Sequence, residues 1–418
     1  MAPSTFLASL RALGGARVRF ADFLSATEQF HAPSKLAFSC VEGMGVGLTA
    51  TQPISAGETV LSVPAKLWQP WSAEHALAQA RQRAPPFVAR LEEVARQMGA
   101  TGAEKLPLHA CLALQLLFEQ EHPWVQTLPV PDVPALWNER ELELLLGTRT
   151  HALVQSRRAW QRALHSALFP AGSPVSLPRF SLALASITSR ALSDARAPYS
   201  FVPVLDALNH SQEASAAHSF DADTQSFQCT ALRAHSVGEQ LCISYGKHLC
   251  NDRALRLYGF TTPGNVHDTA LLPPPWPPRR SDEPLAALKA RLLLRGDTAP
   301  DVRYWWSSAL DAEPVAVSGS ADAGPLLASL RVIHLVPEDL ELEAALDASR
   351  PLSARNEAAA RASLRDAVLA AMRRYPASLG ETEAELESAA EPHALAALRI
   401  RAGELRALHG LLDASQLT

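Results

Sequence analysis

The sequence predicts an α+β protein, in which a split β-rich domain with a helical insertion is followed by an all-α C-terminal domain. Strand patterns rich in β-branched residues occur in two distant stretches, a helical pattern lies between them, and a second helical pattern follows a proline-rich segment. The chain has 418 residues, whereas a single hydrophobic core stops growing at roughly 250 to 300 residues. We therefore expect two or three units.

The β-rich domain is divided in the sequence, so its two halves must meet in the fold. Strands of the first half are predicted at residues 35–41, 48–51 and 59–63, with a tight turn at 55–57. Helical spacing predicts the insertion over about 72–187, with a proline-rich break at 128–134. Strand patterns return at residues 201–205, 218–220, 226–232 and 240–244, with a hairpin turn at 221–224.

Residues 271–278 contain five prolines around Trp276, a composition that predicts a stiff extended connector. Beyond it, apolar residues recur at helical spacing, and Thr382 with Glu385 fits a capping box. The predicted organisation is an N-terminal segment at 1–20, a β-rich domain at 21–270, a linker at 271–284 and a helical domain at 285–418.

Composition and charge exclude several classes of protein. The net charge of −5, without a run of five like charges, disfavours a nucleic-acid partner. No apolar stretch approaches the roughly 20 residues that a bilayer span requires, so no membrane partner is expected. The five cysteines include no Cys-x-x-Cys pair, which argues against disulfides and structural zinc. We expect no metal site, because the spacing of Asp206, His210 and His218 matches no established zinc pattern.

The N-terminal segment leaves the compartment open. Residues 1–20 contain arginines and hydroxyl side chains but no acidic residue, as transit peptides do, although an ordinary amphipathic helix has the same composition. We expect a cytoplasmic or nuclear monomer, with an organelle as the alternative.

A glycine-rich segment follows the first predicted strand and begins with Glu42, Gly43 and Met44. Glycines let a backbone approach a ligand closely. A dinucleotide site would need a helix after the last glycine, but residues 48–63 alternate as strands do. The segment therefore predicts either a backbone loop around a small ligand or a structural bulge.

The most informative motifs lie between residues 203 and 260. Asp206, Asn209 and His210 are followed about 35 residues later by Tyr245 in a Ser-Tyr-Gly turn, and then by a Leu-Tyr-Gly-Phe sequence at 257–260. This combination resembles the core of SET-domain methyltransferases. From about residue 20 to the C-terminus, the chain resembles the branch that includes the Rubisco large-subunit lysine methyltransferase.

The resemblance implies a pseudoknot-like crossing, S-adenosylmethionine as cofactor, a protein as substrate and Tyr245 as the catalytic residue. Methyl transfer is a direct displacement, so such an enzyme aligns the reactants and excludes water rather than supplying a strong acid. Cofactor-binding roles are implied for Glu42, Gly43, Met44, Arg190, Asn209, His210, Tyr258 and Phe260. Arg190, Asp206 and Tyr245 are implied to line the place where cofactor and target side chain meet, and the Arg190 guanidinium also suits the cofactor carboxylate.

Lysine is the favoured target. A relative that methylates an actin histidine has an Asn two residues after the matching Arg and a Trp before the matching Asp, but this chain has Leu192 and Leu205 there. The alternatives are a histidine methyltransferase of the same fold and a non-catalytic binding scaffold. A serine hydrolase is disfavoured, because no Gly-x-Ser-x-Gly motif is present.

Overall fold

The structure, a computed structural model, describes residues 4–97, 106–192, 194, 199–272, 285–293, 315–318, 323–341 and 347–416. The strands are β1 (Leu36–Val41), β2 (Gly45–Ala50), β3 (Thr59–Val63), β4 (Asn209–His210), β5 (Ala216–Asp221), β6 (Ser226–Ala231), β7 (Cys242–Ile243), β8 (Thr269–Leu272) and β9 (Val315–Ser318). The helices before β4 are α1 (Thr5–Ala12), α2 (Ala16–Ala26), α3 (Ala65–Trp68), α4 (Ala73–Arg83), α5 (Pro85–Gln97), α6 (Leu106–Phe118), α7 (Glu139–Glu143), α8 (Arg149–Leu168) and α9 (Leu177–Arg190). Those after β7 are α10 (Asn251–Tyr258), α11 (Ala286–Leu293), α12 (Gly324–Ile333), α13 (Ala354–Met372), α14 (Leu379–Ser388) and α15 (Pro392–Gln416).

The chain divides into two compact units. Unit 1 comprises Met1–Leu136, Gln155–Leu249 and Leu257–Gly259, and unit 2 comprises Trp137–Val154, Cys250–Arg256 and Phe260–Thr418. Residues 137–154 of the predicted insertion and residues 250–256 and 260–270 of the predicted β-rich domain thus belong to unit 2. The predicted domain boundaries stay predictions. Residues 273–284 of the predicted linker lie outside the described residues.

In unit 1 the two halves of the β-rich domain meet, as the sequence predicts. Antiparallel strands in the order β3-β6-β5 place Ser62 opposite Gln228. Strands β1 and β2 form a hairpin, and β4 pairs in parallel with β7. The helices α4 and α9 both pack on α6, and their buried side chains share one apolar core with the strands.

The N-terminal helices pack into the core of unit 1. Phe6, Leu7 and Leu10 of α1 are buried, and Ser9 Oγ accepts a hydrogen bond of 2.9 Å from the backbone N–H of Phe38 in β1. This packing is what an amphipathic first helix would make. Targeting to an organelle stays a prediction.

The prediction of a strand at residues 201–205 is wrong. Pro203 has no N–H for a ladder, Val204 has a φ of 79°, and the Asp206 N–H bonds back to the Val202 carbonyl at 3.0 Å. A short 3-10 helix at Leu205–Ala207 follows. The segment is a buried turn that leads directly into β4.

Unit 2 is mainly helical, with α12, α14 and α15 packed around α13 or one another through a shared apolar core. The all-helical expectation needs one correction, because β9 pairs antiparallel with β8. Ala270 and Leu272 of β8 are fully buried and give this strand pair an apolar face toward the helices. No described helix is long and apolar enough to cross a membrane.

The capping box of α14 lies one turn earlier than predicted. Ser378 Oγ accepts from the Glu381 N–H, and the Glu381 carboxylate accepts from the Ser378 N–H. Thr382 therefore lies inside the helix, where it is fully buried.

Candidate active site

The predicted ligand loop is the tight β1–β2 hairpin turn. Gly43 and Gly45 have φ values of 68° and 77°, a left-handed conformation that side chains with a Cβ rarely adopt. Glu42, Gly43 and Met44 are exposed, and Met44 retains 43% of its accessible surface. Strand β2 follows the glycines directly, so the structure agrees with a backbone loop and not with a dinucleotide site.

Gly47 has a separate role, which is close approach. A Cβ at this position would lie 2.4 Å from Gln240 Oε1 and 2.9 Å from Asn209 Nδ2. These two side chains therefore occupy the space that glycine leaves in β2. A residue larger than glycine would displace them.

Residues 241–243 form hydrogen bonds with both β2 and β4. The Leu241 N–H donates to the Leu48 carbonyl at 2.9 Å, and the two residues that follow form β7 beside Asn209 and His210. The distant glycine loop and the Asn-His motif are thereby brought together within unit 1.

Gln240 occupies the centre of this arrangement, and sequence reasoning did not select it. Its Oε1 accepts a hydrogen bond of 2.8 Å from Asn209 Nδ2, and its Nε2 donates toward Met44 Sδ at 3.4 Å and Cys242 Sγ at 3.3 Å. A glutamine after Gly-Glu belongs to the motif that leads to Tyr245, but the motif alone predicts no contact for its side chain. Only the pairing of this segment with β2 gives Gln240 its position.

His210 is buried beside Tyr245. Its Nδ1 accepts a hydrogen bond of 3.1 Å from the Tyr245 N–H, and the two ring centroids lie 5.3 Å apart. Burial lowers the pKa of His210, so the imidazole stays neutral at neutral pH. A neutral ring with Nδ1 as the acceptor fixes the backbone at Tyr245.

Tyr245 is half-buried, and its phenol is held at the oxygen. It donates a hydrogen bond of 2.7 Å to the Leu208 carbonyl, and burial raises its pKa well above the usual value of about 10. The hydroxyl thus stays protonated, with its hydrogen directed at a backbone oxygen. Such a group orients reactants and does not act as a general base.

Tyr258 packs on Tyr245. Its hydroxyl donates to the Tyr245 carbonyl at 3.1 Å, and the ring centroids are 4.7 Å apart. Its predicted contact with the cofactor stays a prediction, as does that of Phe260, which belongs to unit 2.

Arg190, at the end of α9, is engaged by Asp206. Its Nη1 donates to the Asp206 carbonyl at 2.9 Å and lies 3.5 Å from carboxylate Oδ2. Burial raises the pKa of the Asp206 carboxyl, while Arg190 and a hydrogen bond from the Trp124 side chain oppose the rise. Arg190 lowers the pKa of Tyr245 and Asp206 raises it. The three residues predicted to line the place where cofactor and target meet therefore act on one another electrostatically.

Among the residues that the structure describes, no three His, Cys, Asp or Glu side chains are grouped as metal ligands would be. The site instead offers an exposed glycine loop, an amide pair, a neutral imidazole and a phenol. These groups suit an organic ligand with polar edges.

Two family models match the sequence: the SET domain over residues 45–246 and the Rubisco LSMT substrate-binding domain over residues 280–408. None of the curated proteins matches significantly. Among solved structures, the chain is similar to the SET domain of LSMT bound to lysine and AdoHcy, with a TM-score of 0.72, 21% identity, and coverage of 96% of this chain and 92% of that chain. It is also similar to Rubisco LSMT bound to sinefungin and monomethyllysine, with a TM-score of 0.73, 20% identity and the same coverage.

Rubisco LSMT bound to AdoMet is a further structural relative, with a TM-score of 0.67, 20% identity, and coverage of 100% of this chain and 92% of that chain. At these identities the structural similarity concerns the fold, and the two family models identify the domains. The predicted fold and branch are thereby confirmed. The chain belongs to the SET-domain proteins that carry a Rubisco LSMT substrate-binding domain.

Proposed function

We propose that this chain is an S-adenosylmethionine-dependent protein-lysine N-methyltransferase that acts on a non-histone protein. The observation that carries the proposal is the position of Tyr245, whose backbone is held by His210 while its phenol is held by the Leu208 carbonyl. The relatives of this fold were solved with AdoMet, AdoHcy or lysine, and the matched substrate-binding domain supports a protein as target.

The residues present fit the cofactor. The exposed Met44 loop lies next to Asn209 and the neutral His210, an arrangement that offers backbone groups, an amide and an imidazole to one ligand. When bound, S-adenosylmethionine supplies an electrophilic methyl group. Asn209, His210 and the 42–44 loop would hold it.

Tyr245 and its neighbours act on the target amine. The desolvation that raises the pKa of the phenol lowers the pKa of an amine placed beside it, because low dielectric disfavours the ammonium form. A lysine with an ordinary pKa of about 10.4 therefore loses its proton more readily there. The phenol oxygen accepts weak C–H···O contacts, each on the order of 0.5 to 1 kcal/mol, that align the transfer.

Lysine is preferred over histidine because Leu192 and Leu205 replace both groups that mark the histidine-specific relative. Leu205 is fully buried, so the position before Asp206 offers no polar group to an imidazole. A histidine methyltransferase and a non-catalytic scaffold are the alternatives. The monomeric state and the cytoplasmic or nuclear location stay predictions.

Calorimetric titration with S-adenosylmethionine tests the proposal. We expect micromolar binding to the wild-type chain and none to Asn209→Ala. Absence of uptake by the wild-type chain would favour the scaffold.

A further inference from the structure

We infer that Gln240 is a positioning residue that sets the affinity for the cofactor by fixing Asn209 and the Met44 loop together. This inference rests on the proposed function, because it concerns the same ligand site. Gln240 touches the two predicted cofactor-binding segments, which lie far apart in the sequence.

Both the oxygen and the nitrogen of the Gln240 side-chain amide form hydrogen bonds. The oxygen accepts from Asn209 Nδ2 at 2.8 Å, whereas the next acceptor of that group, the Val46 carbonyl, lies at 3.5 Å. Asn209 has two side-chain N–H groups and one carbonyl oxygen. With its amide nitrogen directed at Gln240, its orientation toward a ligand is fixed.

The nitrogen of Gln240 acts on the glycine loop. It donates toward Met44 Sδ at 3.4 Å and Cys242 Sγ at 3.3 Å. Met44 is exposed and its neighbours Gly43 and Gly45 are glycines, so few other side-chain contacts restrain this loop. Contacts to sulfur are weak acceptor interactions, so we assign the larger effect to the Asn209 side.

The backbone keeps the Gln240 side chain in place. Residue 240 forms an isolated bridge with Thr49, and Gly47 provides the space in which the Gln240 and Asn209 side chains meet. The Gln240 side chain is therefore held in place by its own backbone pairing with β2 and by the space at Gly47.

The test compares Gln240→Leu, Gln240→Glu and a matched control, Gln228→Leu. Gln228 lies in β6 of the same unit and donates to Asp221 at the far end of the β5–β6 hairpin, away from these segments. The measurements are calorimetric dissociation constants for S-adenosylmethionine and S-adenosylhomocysteine, the melting temperature, and the split between KM for the cofactor and kcat with labelled donor and cell extract.

We expect Gln240→Leu to weaken the binding of both ligands about tenfold and to raise KM, with kcat at saturating cofactor within threefold of wild type. Gln240→Glu keeps an acceptor for Asn209 and is expected to stay within threefold in affinity. Gln228→Leu should bind as wild type does.

Equal affinity of Gln240→Leu and wild type would overturn the inference. A tenfold loss of affinity in Gln240→Glu, equal to that in Gln240→Leu, would also overturn the inference. The presence of an acceptor for Asn209 would then make no difference to binding. A wild-type chain that binds neither ligand would refute the proposed function itself. That result differs from a failure of the inference, in which the wild-type chain binds both ligands and only the comparison among the variants departs from expectation.

Discussion

The backbone N–H of Tyr245 donates a hydrogen bond to Nδ1 of His210, with 3.1 Å between the two nitrogens. This bond connects the residue predicted to orient the methyl transfer with a residue predicted to hold the cofactor. Since burial keeps His210 neutral, the acceptor nitrogen persists at neutral pH. The geometry at Tyr245 therefore depends on the segment that precedes β5.

Replacement of Tyr245 by Phe should lower turnover about 100-fold and preserve cofactor binding. The variant loses the hydroxyl and its 2.7 Å bond to Leu208, so the target amine and methyl group lose their alignment. Misalignment of this kind costs about 100-fold in rate. Labelled-donor turnover and calorimetry measure the two effects, and Tyr199→Phe in the same unit is the control. Retention of more than half the activity by Tyr245→Phe would contradict the assigned role.

Asp206→Ala should impair turnover more than cofactor affinity, whereas His210→Ala should abolish cofactor binding. Asp206 is buried against Arg190 and raises the pKa of Tyr245. His210 belongs to the Asn-His pair of β4, which is predicted to hold the cofactor. Parallel titration and rate measurements separate the two, with Asp223→Ala in the exposed hairpin as the control. Equal cofactor affinity in Asp206→Ala and His210→Ala would show that the roles are misassigned.

Gly47→Ala should lower cofactor affinity. The added Cβ would lie 2.4 Å from Gln240 Oε1 and 2.9 Å from Asn209 Nδ2, the far ends of two flexible side chains, so both amides would have to shift. Gly380→Ala in unit 2 is the control for affinity, because a Cβ there meets nothing within 4 Å. Calorimetric titration with S-adenosylhomocysteine measures the effect. Equal affinity of Gly47→Ala and the control would contradict the close approach at Gly47.

Unit 2 should lose stability as the pH rises from about 4.5 to about 8. Glu404 is buried, and desolvation raises its pKa from 4.5 to about 8. The hydrogen bonds that its carboxyl accepts from the Tyr375 hydroxyl and the Arg149 N–H oppose the rise without cancelling it. The folded state then keeps a proton that the unfolded state releases, so stability falls with increasing pH across this interval. The stabilising contribution of Glu404 is fully present below pH 4.5 and is lost as the pH rises to about 8.

Glu404→Gln mimics the protonated carboxyl and should flatten this part of the stability profile. Asp268, whose pKa burial raises to about 6, contributes in the same direction at lower pH, so Asp268→Asn serves as the comparison. Denaturant unfolding between pH 5 and 8.5 measures the slopes. Identical slopes for wild type and Glu404→Gln above pH 6 would contradict the account.

The sequence allowed prediction of the elements whose signals are local. The Asn209-His210 and Tyr245 motifs indicated the branch, and the alternation in residues 59–63 and 226–232 indicated strands that do pair. Gln240 could not be found, because its role arises only when residues 238–241 pair with β2. The strand prediction at 201–205 was wrong because Pro203 has no N–H for a ladder and Val204 adopts a left-handed conformation.

The C-terminal unit shows the same limit. The helical spacing of α13 and α15 was visible in the sequence, but β9 has only four residues and is recognised through its partner β8. Short strands carry too little periodicity to be distinguished from loops.

The most direct test of the central claim is the chemical identity of the methylated product. The chain is incubated with cell extract and isotopically labelled S-adenosylmethionine, and the labelled residue is mapped by mass spectrometry, with Tyr245→Phe as the inactive control. The account predicts label on lysine side chains of a protein, dependent on Tyr245. Label on histidine, or labelling that is equal in the wild type and Tyr245→Phe, would contradict it.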